Sequence, residues 1–315
     1  PAPGPAPVLS VEDLVVSYET RHGRHQVVHG VSFEVARGEV VALVGESGSG
    51  KTSIAQSVVG LLPGNGRLEG GRITLGDTDL TALGDRALRG VRGRRIGLVP
   101  QDPNNSLNPV RRIGESVAEV LRVHGWGTQP AIEARVLELL DEVGLDEPAR
   151  RARQYPHQLS GGMKQRALIA AAIALNPELV IADEPTSALD VTVQRRVLDL
   201  IDAVRRDHDA AMLLVTHDLG VARERADRIV VLRDGRIVEQ GPTRTVTAHP
   251  RDPYTRTLLA EADLLHGATR LGAPRVRSAD RAPQPAADRD AATAAAPAIE
   301  VVDLVQEYDA GRGRA

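Results

Sequence analysis

The chain has 315 residues, and its 39 Lys and Arg against 42 Asp and Glu give a formal net charge of −3. A chain this close to neutral is unlike the strongly basic proteins that coat nucleic acid. It contains no cysteine, which excludes disulfides, thiolate metal sites, iron–sulfur clusters and cysteine nucleophiles.

The N-terminal residues 1–7 alternate Pro with Ala and Gly and lack the basic start and apolar stretch of a signal peptide. We expect this segment to be disordered. The longest apolar run, residues 167–175, is far shorter than the roughly 20 residues that span a bilayer. The sequence therefore predicts a cytoplasmic chain that does not itself cross a membrane.

Short β-branched runs alternate with longer helical patterns along most of the chain. The runs predict strands at 8–18, 27–35, 40–44, 72–75, 96–99, 179–182, 211–216, 228–232 and 236–239. The helical patterns cover 52–62, 113–124, 131–143, 162–175 and 191–207. This alternation predicts a layered α/β domain with a mainly parallel sheet, and the second and third helices interrupt the strands as a helical insertion.

The segment between strand 40–44 and helix 52–62 matches the phosphate-binding loop pattern. Its glycines permit backbone conformations that turn N–H groups toward phosphate oxygens, and the following helix adds its positive end. Lys51 is expected to reach the β and γ phosphates, and the Thr52 hydroxyl to bind Mg²⁺. A glycine-rich turn with a surface lysine is the alternative. The loop residues are Gly45, Glu46, Ser47, Gly48, Ser49, Gly50, Lys51 and Thr52.

Two adjacent carboxylates, Asp183 and Glu184, follow the buried strand 179–182. Ligands collect at the carboxyl ends of strands in open α/β sheets. We expect Asp183 to hold Mg²⁺ through its water shell and Glu184 to polarise an attacking water as general base. Taken alone, the pair also fits a solvated strand end. With the phosphate loop it indicates a nucleotide hydrolase or a kinase, and no more.

A Ser-Gly-Gly turn at residues 160–162 opens the helix before that strand, so its free N–H groups suit an anion. Because Lys51 already serves one phosphate site, a second anion site implies another ATP, held by a partner. An ordinary helix N-cap is the alternative for the turn alone. All of 159–166 resembles the signature of the ATP-binding cassette family. Its implied contacts with the partner's ATP are Leu159, Ser160, Gly161, Gly162 and Gln165.

The resemblance covers residues 8 to about 265. It implies a P-loop NTPase fold with a RecA-like parallel sheet core, an N-terminal antiparallel β subdomain and an inserted α-helical subdomain at about 102–165. A C-terminal extension of the importer type is implied at about 242–265.

The resemblance also implies roles for single residues. Tyr18 is similar to the aromatic residue that stacks on adenine, and Ser53 extends the ATP-binding set. Gln101 resembles the glutamine that contacts Mg²⁺ and water, and His217 the histidine that contacts the γ-phosphate and steadies Glu184. The implied catalytic residues are Lys51, Gln101, Glu184 and His217. The implied metal ligands are Thr52, Gln101 and Asp183. The implied dimer loop is Ser187, Ala188, Leu189 and Asp190.

Two segments resemble one branch of the family. Residues 101–109 are similar to ATPases of peptide and nickel importers, and 248–259 to their C-terminal extension, although Arg251 and Asp252 interrupt its usual string. The implied function is ATP hydrolysis, with ATP and Mg²⁺ as cofactors, that powers import of di- or oligopeptides. Import of nickel or another small solute is the alternative.

The implied partners are a second nucleotide-binding domain, two polytopic permease subunits and, indirectly, an extracytoplasmic solute-binding protein. The second domain is a paralogue, a fused half or a second copy of this chain. No nucleic acid partner is implied, and the chain is expected at the cytoplasmic face of the membrane.

The Ala- and Pro-rich composition of 266–297 predicts a linker. Beyond it, residues 299–308 repeat the pattern of 9–18, which predicts that 298–315 begin a second nucleotide-binding domain. Two unrelated amphipathic strands are the alternative.

Two other function classes use some of the same motifs. A soluble cassette ATPase acting on ribosomes or DNA commonly carries long charged or coiled-coil insertions, and none is seen between the phosphate loop and the signature. A P-loop kinase with an acceptor substrate leaves residues 159–166 unexplained.

Overall fold

The computed structural model of the protein describes residues 7–187 and 190–271. Several predictions concern residues outside that part of the chain. They are the disordered start, Ala188 and Leu189 of the dimer loop, most of the linker and the second domain at 298–315.

Ten strands form in the described residues. They are β1 (Leu9–Thr20), β2 (Gly23–Val35), β3 (Val40–Val44), β4 (Gly66–Leu75), β5 (Thr78–Asp79), β6 (Ile96–Val99), β7 (Leu179–Asp183), β8 (Ala211–Thr216), β9 (Arg228–Arg233) and β10 (Arg236–Pro242). The predicted bounds of β3, β6 and β8 agree with the structure to the residue, whereas β4 begins earlier than predicted and β5 was not predicted.

The central sheet has the strand order β10-β9-β3-β8-β7-β6. Its strands pair in parallel except for β10, which forms an antiparallel hairpin with β9. Every residue of β3, β7 and β8 is buried, as expected when helices or a second sheet cover both faces of a parallel sheet. The predicted mainly parallel core is therefore present.

A second sheet, with the order β2-β1-β4-β5, is antiparallel throughout. Leu9 of β1 lies between Val35 of β2 and Leu75 of β4, and all three side chains are buried. This sheet includes the N-terminal strands, where the antiparallel subdomain was expected.

Eleven α-helices form in the described residues. They are α1 (Lys51–Val58), α2 (Asp85–Val91), α3 (Pro103–Ser106), α4 (Ile113–Val123), α5 (Gln129–Glu142), α6 (Pro148–Ala152), α7 (Gly161–Ile173), α8 (Val191–His208), α9 (Leu219–Arg225), α10 (Thr243–Ala248) and α11 (Pro253–Leu271). The short helices α2, α3, α6, α9 and α10 were not predicted, because one or two turns carry little periodic signal. Helix α11 runs to Leu271, and the C-terminal extension was expected to end at about 265.

Alternate residues of β3 belong to two apolar clusters, one on each face of the central sheet. Val41 and Leu43 pack with the antiparallel sheet and α1, whereas Val40, Ala42 and Val44 pack with the inserted helices, α7 and the C-terminal helices. The inserted helices therefore share one continuous core with the sheet.

Within the described part of the chain, every helix is too short or too polar to span a bilayer.

β6 and α7 approach each other closely at Gly97, where a Cβ would lie 2.2 Å from the carbonyl oxygen of Ala172. We expect Gly97→Ala to lower the free energy of unfolding by about 1–3 kcal/mol, because the strand and helix must separate. Urea denaturation measures the change.

Gly90→Ala is the matched control. Gly90 lies exposed in α2, and a Cβ there would meet nothing within 4 Å. This variant is expected to gain about 0.5–1 kcal/mol from the lower backbone entropy of the unfolded chain. Equal stability of the two variants would contradict the packing argument.

Candidate active site

The loop of residues 45–50 connects β3 to α1 at the carboxyl edge of the central sheet. Gly48 and Gly50 have φ angles of +83° and +98°, which residues with a Cβ rarely adopt. At Gly45 a Cβ would lie 2.2 Å from the carbonyl oxygen of Leu232. The loop therefore depends on glycine at three of the predicted positions.

Lys51 begins α1 and is only 4% exposed. Its ammonium donates hydrogen bonds to the carbonyl oxygens of Gly45 at 2.8 Å and Glu46 at 2.7 Å. Burial lowers the pKa of Lys51, and nearby carboxylates, Glu184 foremost, oppose that shift. The loop thus holds a desolvated cation, which suits a phosphate group.

Asp183, the last residue of β7, is buried, and the Thr52 hydroxyl donates to its Oδ1 at 3.3 Å. Burial raises the pKa of Asp183 to about 6, and the like charge of Glu184 adds to the shift. A buried carboxylate of this kind is stabilised by a cation. The hydroxyl and carboxylate side by side are oxygen donors of the type that Mg²⁺ prefers, so these two residues fit the implied metal.

The Glu184 carboxylate lies between Gln101 and His217. Gln101 Nε2 donates to Oε2 at 2.9 Å, and His217 Nδ1 lies 3.3 Å from Oε1. The three predicted residues thus meet, although they come from the ends of three different strands. Among the residues that the structure describes, Gln101 makes no hydrogen bond to Thr52 or Asp183, the other two predicted metal ligands.

Glu184 has an unusual backbone conformation for a residue with a Cβ. Its φ is +43°, in the left-handed region that side chains disfavour. Its N–H donates to the carbonyl oxygen of Val215 in β8 at 2.9 Å, which holds this conformation. Such strain is concentrated at functional sites.

Tyr18 of β1 lies beside the start of α1. Its hydroxyl is 3.0 Å from Ser53 Oγ, and its ring packs on Gly66, where a Cβ would lie 3.0 Å from the ring. The structure thus places the predicted adenine-stacking residue next to the predicted ATP-binding serine.

The signature segment begins at the exposed end of α7. Ser160 caps the helix, since its hydroxyl accepts a hydrogen bond from the Met163 N–H at 3.3 Å. Ser160 and Gly161 are exposed, and Gly162 packs against Val193 of α8. In the described part of the chain, no hydrogen bond or ion pair joins 159–166 to the phosphate loop. This helix start is accessible to a group from outside the chain.

Leu159 and Gln165, two of the residues predicted to contact a partner's ATP, are buried within this chain. Leu159 is 7% exposed and Gln165 1% exposed, and their contact with a partner's nucleotide stays a prediction. Helical geometry accounts for the burial of Gln165, because five residues advance about 1.4 turns and place it on a different face from Ser160. Gln165 instead faces the core, where its amide has no hydrogen-bond partner among the described residues.

Lys164 makes a contact that was not predicted. Its Nζ donates to Oδ1 of Asn104 in α3 at 2.7 Å. The signature helix therefore contacts the segment that follows Gln101. Lys164 is one of only two lysines in the chain. That scarcity marks Lys164 as a residue of interest, but it does not predict the contact with Asn104.

The described ends of the predicted dimer loop lie at the surface. Ser187 and Asp190 are exposed. The Asp190 carboxylate accepts a hydrogen bond from the Val193 N–H at 3.0 Å and so caps α8.

Residues far along the chain support the phosphate loop from outside. The Glu46 N–H donates to the Tyr254 hydroxyl at 2.9 Å, and the Gly235 N–H donates to the Ser49 carbonyl oxygen at 3.2 Å. No local pattern in the sequence pointed to either contact.

A family model and curated relatives all match this chain to ATP-binding proteins of transporters. A family model described as ABC transporter matches residues 28–187. A dipeptide transport ATP-binding protein of Bacillus subtilis strain 168 is 44% identical over 259 residues, which are 82% of this chain and 77% of the relative. A putative peptide import ATP-binding protein of Brucella ovis is 48% identical over 272 residues, which are 84% of this chain and 80% of the relative.

A solved structure resembles this fold as well. It is a dimeric post-hydrolysis state of the ATP-binding cassette MJ0796 bound to ADP and Pi, with a TM-score of 0.67 and 30% identity. The match covers 75% of this chain and 99% of that one.

The raised pKa of Asp183 predicts a stability effect in metal-free, nucleotide-free buffer. The folded pKa of about 6 lies above the unfolded value of 3.8, so the folded protein binds more protons between these values and its stability falls as the pH rises through them. Asp183→Asn removes the ionisable group. It should raise the free energy of unfolding by about 1–3 kcal/mol at pH 8 and by much less near pH 4.

Urea denaturation in EDTA at both pH values measures this difference. Asp77→Asn, at an exposed aspartate, is the matched control and should change the free energy of unfolding by less than about 0.5 kcal/mol. An equal gain for Asp183→Asn at both pH values would show that the buried charge is not its source.

Proposed function

The chain belongs to the ABC transporter family, and from that premise we propose that it hydrolyses ATP to power the import of peptides across a membrane. The observation that carries the hydrolytic role is the Glu184 carboxylate, held by Gln101 and His217 beside the phosphate loop. The peptide cargo is supported by the names of the two transport relatives.

Family membership confirms the predicted fold class, a P-loop NTPase with an α/β core. It also confirms that the protein is an ATPase. The kinase alternative is set aside, because the family accounts for the signature segment and a kinase does not.

In the proposed site, residues 45–53 bind the phosphates of ATP through backbone N–H groups, Lys51 and the start of α1. Tyr18 contacts the adenine. Thr52 and Asp183 are the residues that would hold Mg²⁺, which supplies positive charge to the phosphate oxygens.

Glu184 is the proposed general base for the attacking water. Its hydrogen bond from Gln101 occupies Oε2, and His217 lies beside Oε1. These two contacts orient the carboxylate, and the Glu184 side chain is only 15% exposed to solvent. Gln101 and His217 thereby act on the reaction partly through the position of Glu184.

Hydrolysis is proposed to need a second cassette. Ser160 and the following glycines offer free N–H groups at an exposed helix start, and nothing described in this chain joins them to its own phosphate loop. Two domains arranged head to tail would each present this helix start to the ATP of the other. Ser187 and Asp190 lie at the surface for the same contact.

The helical insertion is the proposed docking surface for membrane-embedded permease subunits. Val110 and Val123 are 79% and 70% exposed on it, and apolar side chains so exposed favour a partner contact. Binding to permeases would place the chain at the cytoplasmic face of the membrane. An extracytoplasmic binding protein would deliver the cargo.

Glu184→Gln should lower the rate of hydrolysis by about 10²–10⁴-fold and leave ATP binding in place, since the amide fills the same space but accepts no proton. Phosphate release and calorimetric ATP titration measure the two properties. Glu34→Gln, at an exposed strand position, is the control and should retain full activity. Hydrolysis that survives in Glu184→Gln would exclude Glu184 as the base.

Ser160→Arg tests the composite site. It should lower hydrolysis by about 10²-fold, because the bulky cation blocks the helix start that faces the partner's nucleotide. The ATP affinity of the dilute chain should not change, because Ser160 does not contact the loop of its own chain. A monomer that hydrolyses ATP at the full rate would contradict the need for a second cassette.

A further inference from the structure

The side chain of Tyr254 in helix α11 contacts the phosphate loop. Tyr254 is 6% exposed, and its hydroxyl accepts the hydrogen bond from the Glu46 N–H at 2.9 Å. The two residues are 208 positions apart in sequence. The contact reaches the loop from the side opposite to Lys51, whose ammonium lies against the loop's carbonyl oxygens.

The two contacts act on the same peptide group. The Glu46 N–H and the Gly45 carbonyl belong to one peptide plane, with the N–H bound to Tyr254 and the carbonyl oxygen 2.8 Å from Lys51 Nζ. A trans peptide is planar and points its N–H and C=O in opposite directions. The hydrogen bond from the Glu46 N–H to Tyr254 therefore fixes the direction of the Gly45 carbonyl oxygen, which accepts the hydrogen bond from Lys51.

Tyr254 is itself rigidly placed. The Arg233 guanidinium lies over its ring, 5.0 Å from the centroid. At the start of α11, the Glu239 carboxylate accepts hydrogen bonds from the N–H groups of Arg251 at 2.9 Å and Asp252 at 3.1 Å. Arg233 lies in β9 and Glu239 in β10, so contacts with the β9–β10 hairpin fix both the ring of Tyr254 and the start of its helix.

Arg251 and Asp252 are the residues that depart from the usual string of the C-terminal extension. Their backbone N–H groups donate to Glu239 and hold the start of the helix, a contact that does not depend on the identity of either side chain. The departure does not displace Tyr254 from the loop.

We propose that Tyr254 is a positioning residue for nucleotide binding, which orients the Gly45–Glu46 peptide and through it the ammonium of Lys51. The C-terminal helix then contributes to ATP affinity without touching the nucleotide. This role depends on ATP binding at the phosphate loop and not on the nature of the cargo, so it can fail or hold independently of the peptide-import proposal.

Tyr254→Phe in the full chain tests this role, because it removes the hydroxyl and keeps the ring under Arg233. The dissociation constants of Mg-ATP and Mg-ADP should rise about three- to tenfold, as expected for one lost hydrogen bond. The midpoint of thermal unfolding without nucleotide should stay close to that of the unmodified chain. Calorimetric titration well below that midpoint measures the affinities.

Thr257→Val is the matched control. It also removes one hydroxyl from α11, but among the described residues that hydroxyl bonds only to the Pro253 carbonyl oxygen of the same helix. It should leave both dissociation constants unchanged. The role of Tyr254 is overturned if Tyr254→Phe binds nucleotide as tightly as the control, or if it lowers the unfolding midpoint and leaves the dissociation constants unchanged.

Discussion

The parallel register of the central strands is the constraint on which the site depends. Val44 of β3 pairs with Thr216 of β8, and Asp183 ends the neighbouring β7. Because parallel strands end at one edge of the sheet, the phosphate loop, Glu184 and His217 follow their strands side by side. A register slip of one residue would turn the side chains of a strand to the opposite face and separate this group.

Two side chains at this edge of the sheet, Lys51 and Asp183, are buried where their charged forms are disfavoured. Burial lowers the pKa of Lys51 and raises that of Asp183 to about 6, so each side chain resists ionisation in the folded chain. A phosphate and a cation offset these costs when they bind. The site therefore trades stability for function, as active sites commonly do.

Much of the fold was predictable because its signals are local. The short apolar runs of β3, β6 and β8 and the glycine pattern of the phosphate loop identify themselves without reference to the rest of the chain. Brief helices such as α9 escaped prediction because one or two turns show no clear period. The burial of Gln165 was not predictable, because a signature string does not state which side of its helix meets the core.

The sequence by itself determined the α/β class, the phosphate loop, the two carboxylates at the end of β7 and the family resemblance, since each is carried by short runs of neighbouring residues. Only the tertiary structure decided which side chains touch. Gln101, Glu184 and His217 come together from the ends of three strands. Lys164 donates a hydrogen bond to Asn104. Tyr254 accepts one from the N–H of Glu46, 208 positions away in sequence. Such contacts follow from the packing of distant segments, which leaves no periodic trace in the residues that make them.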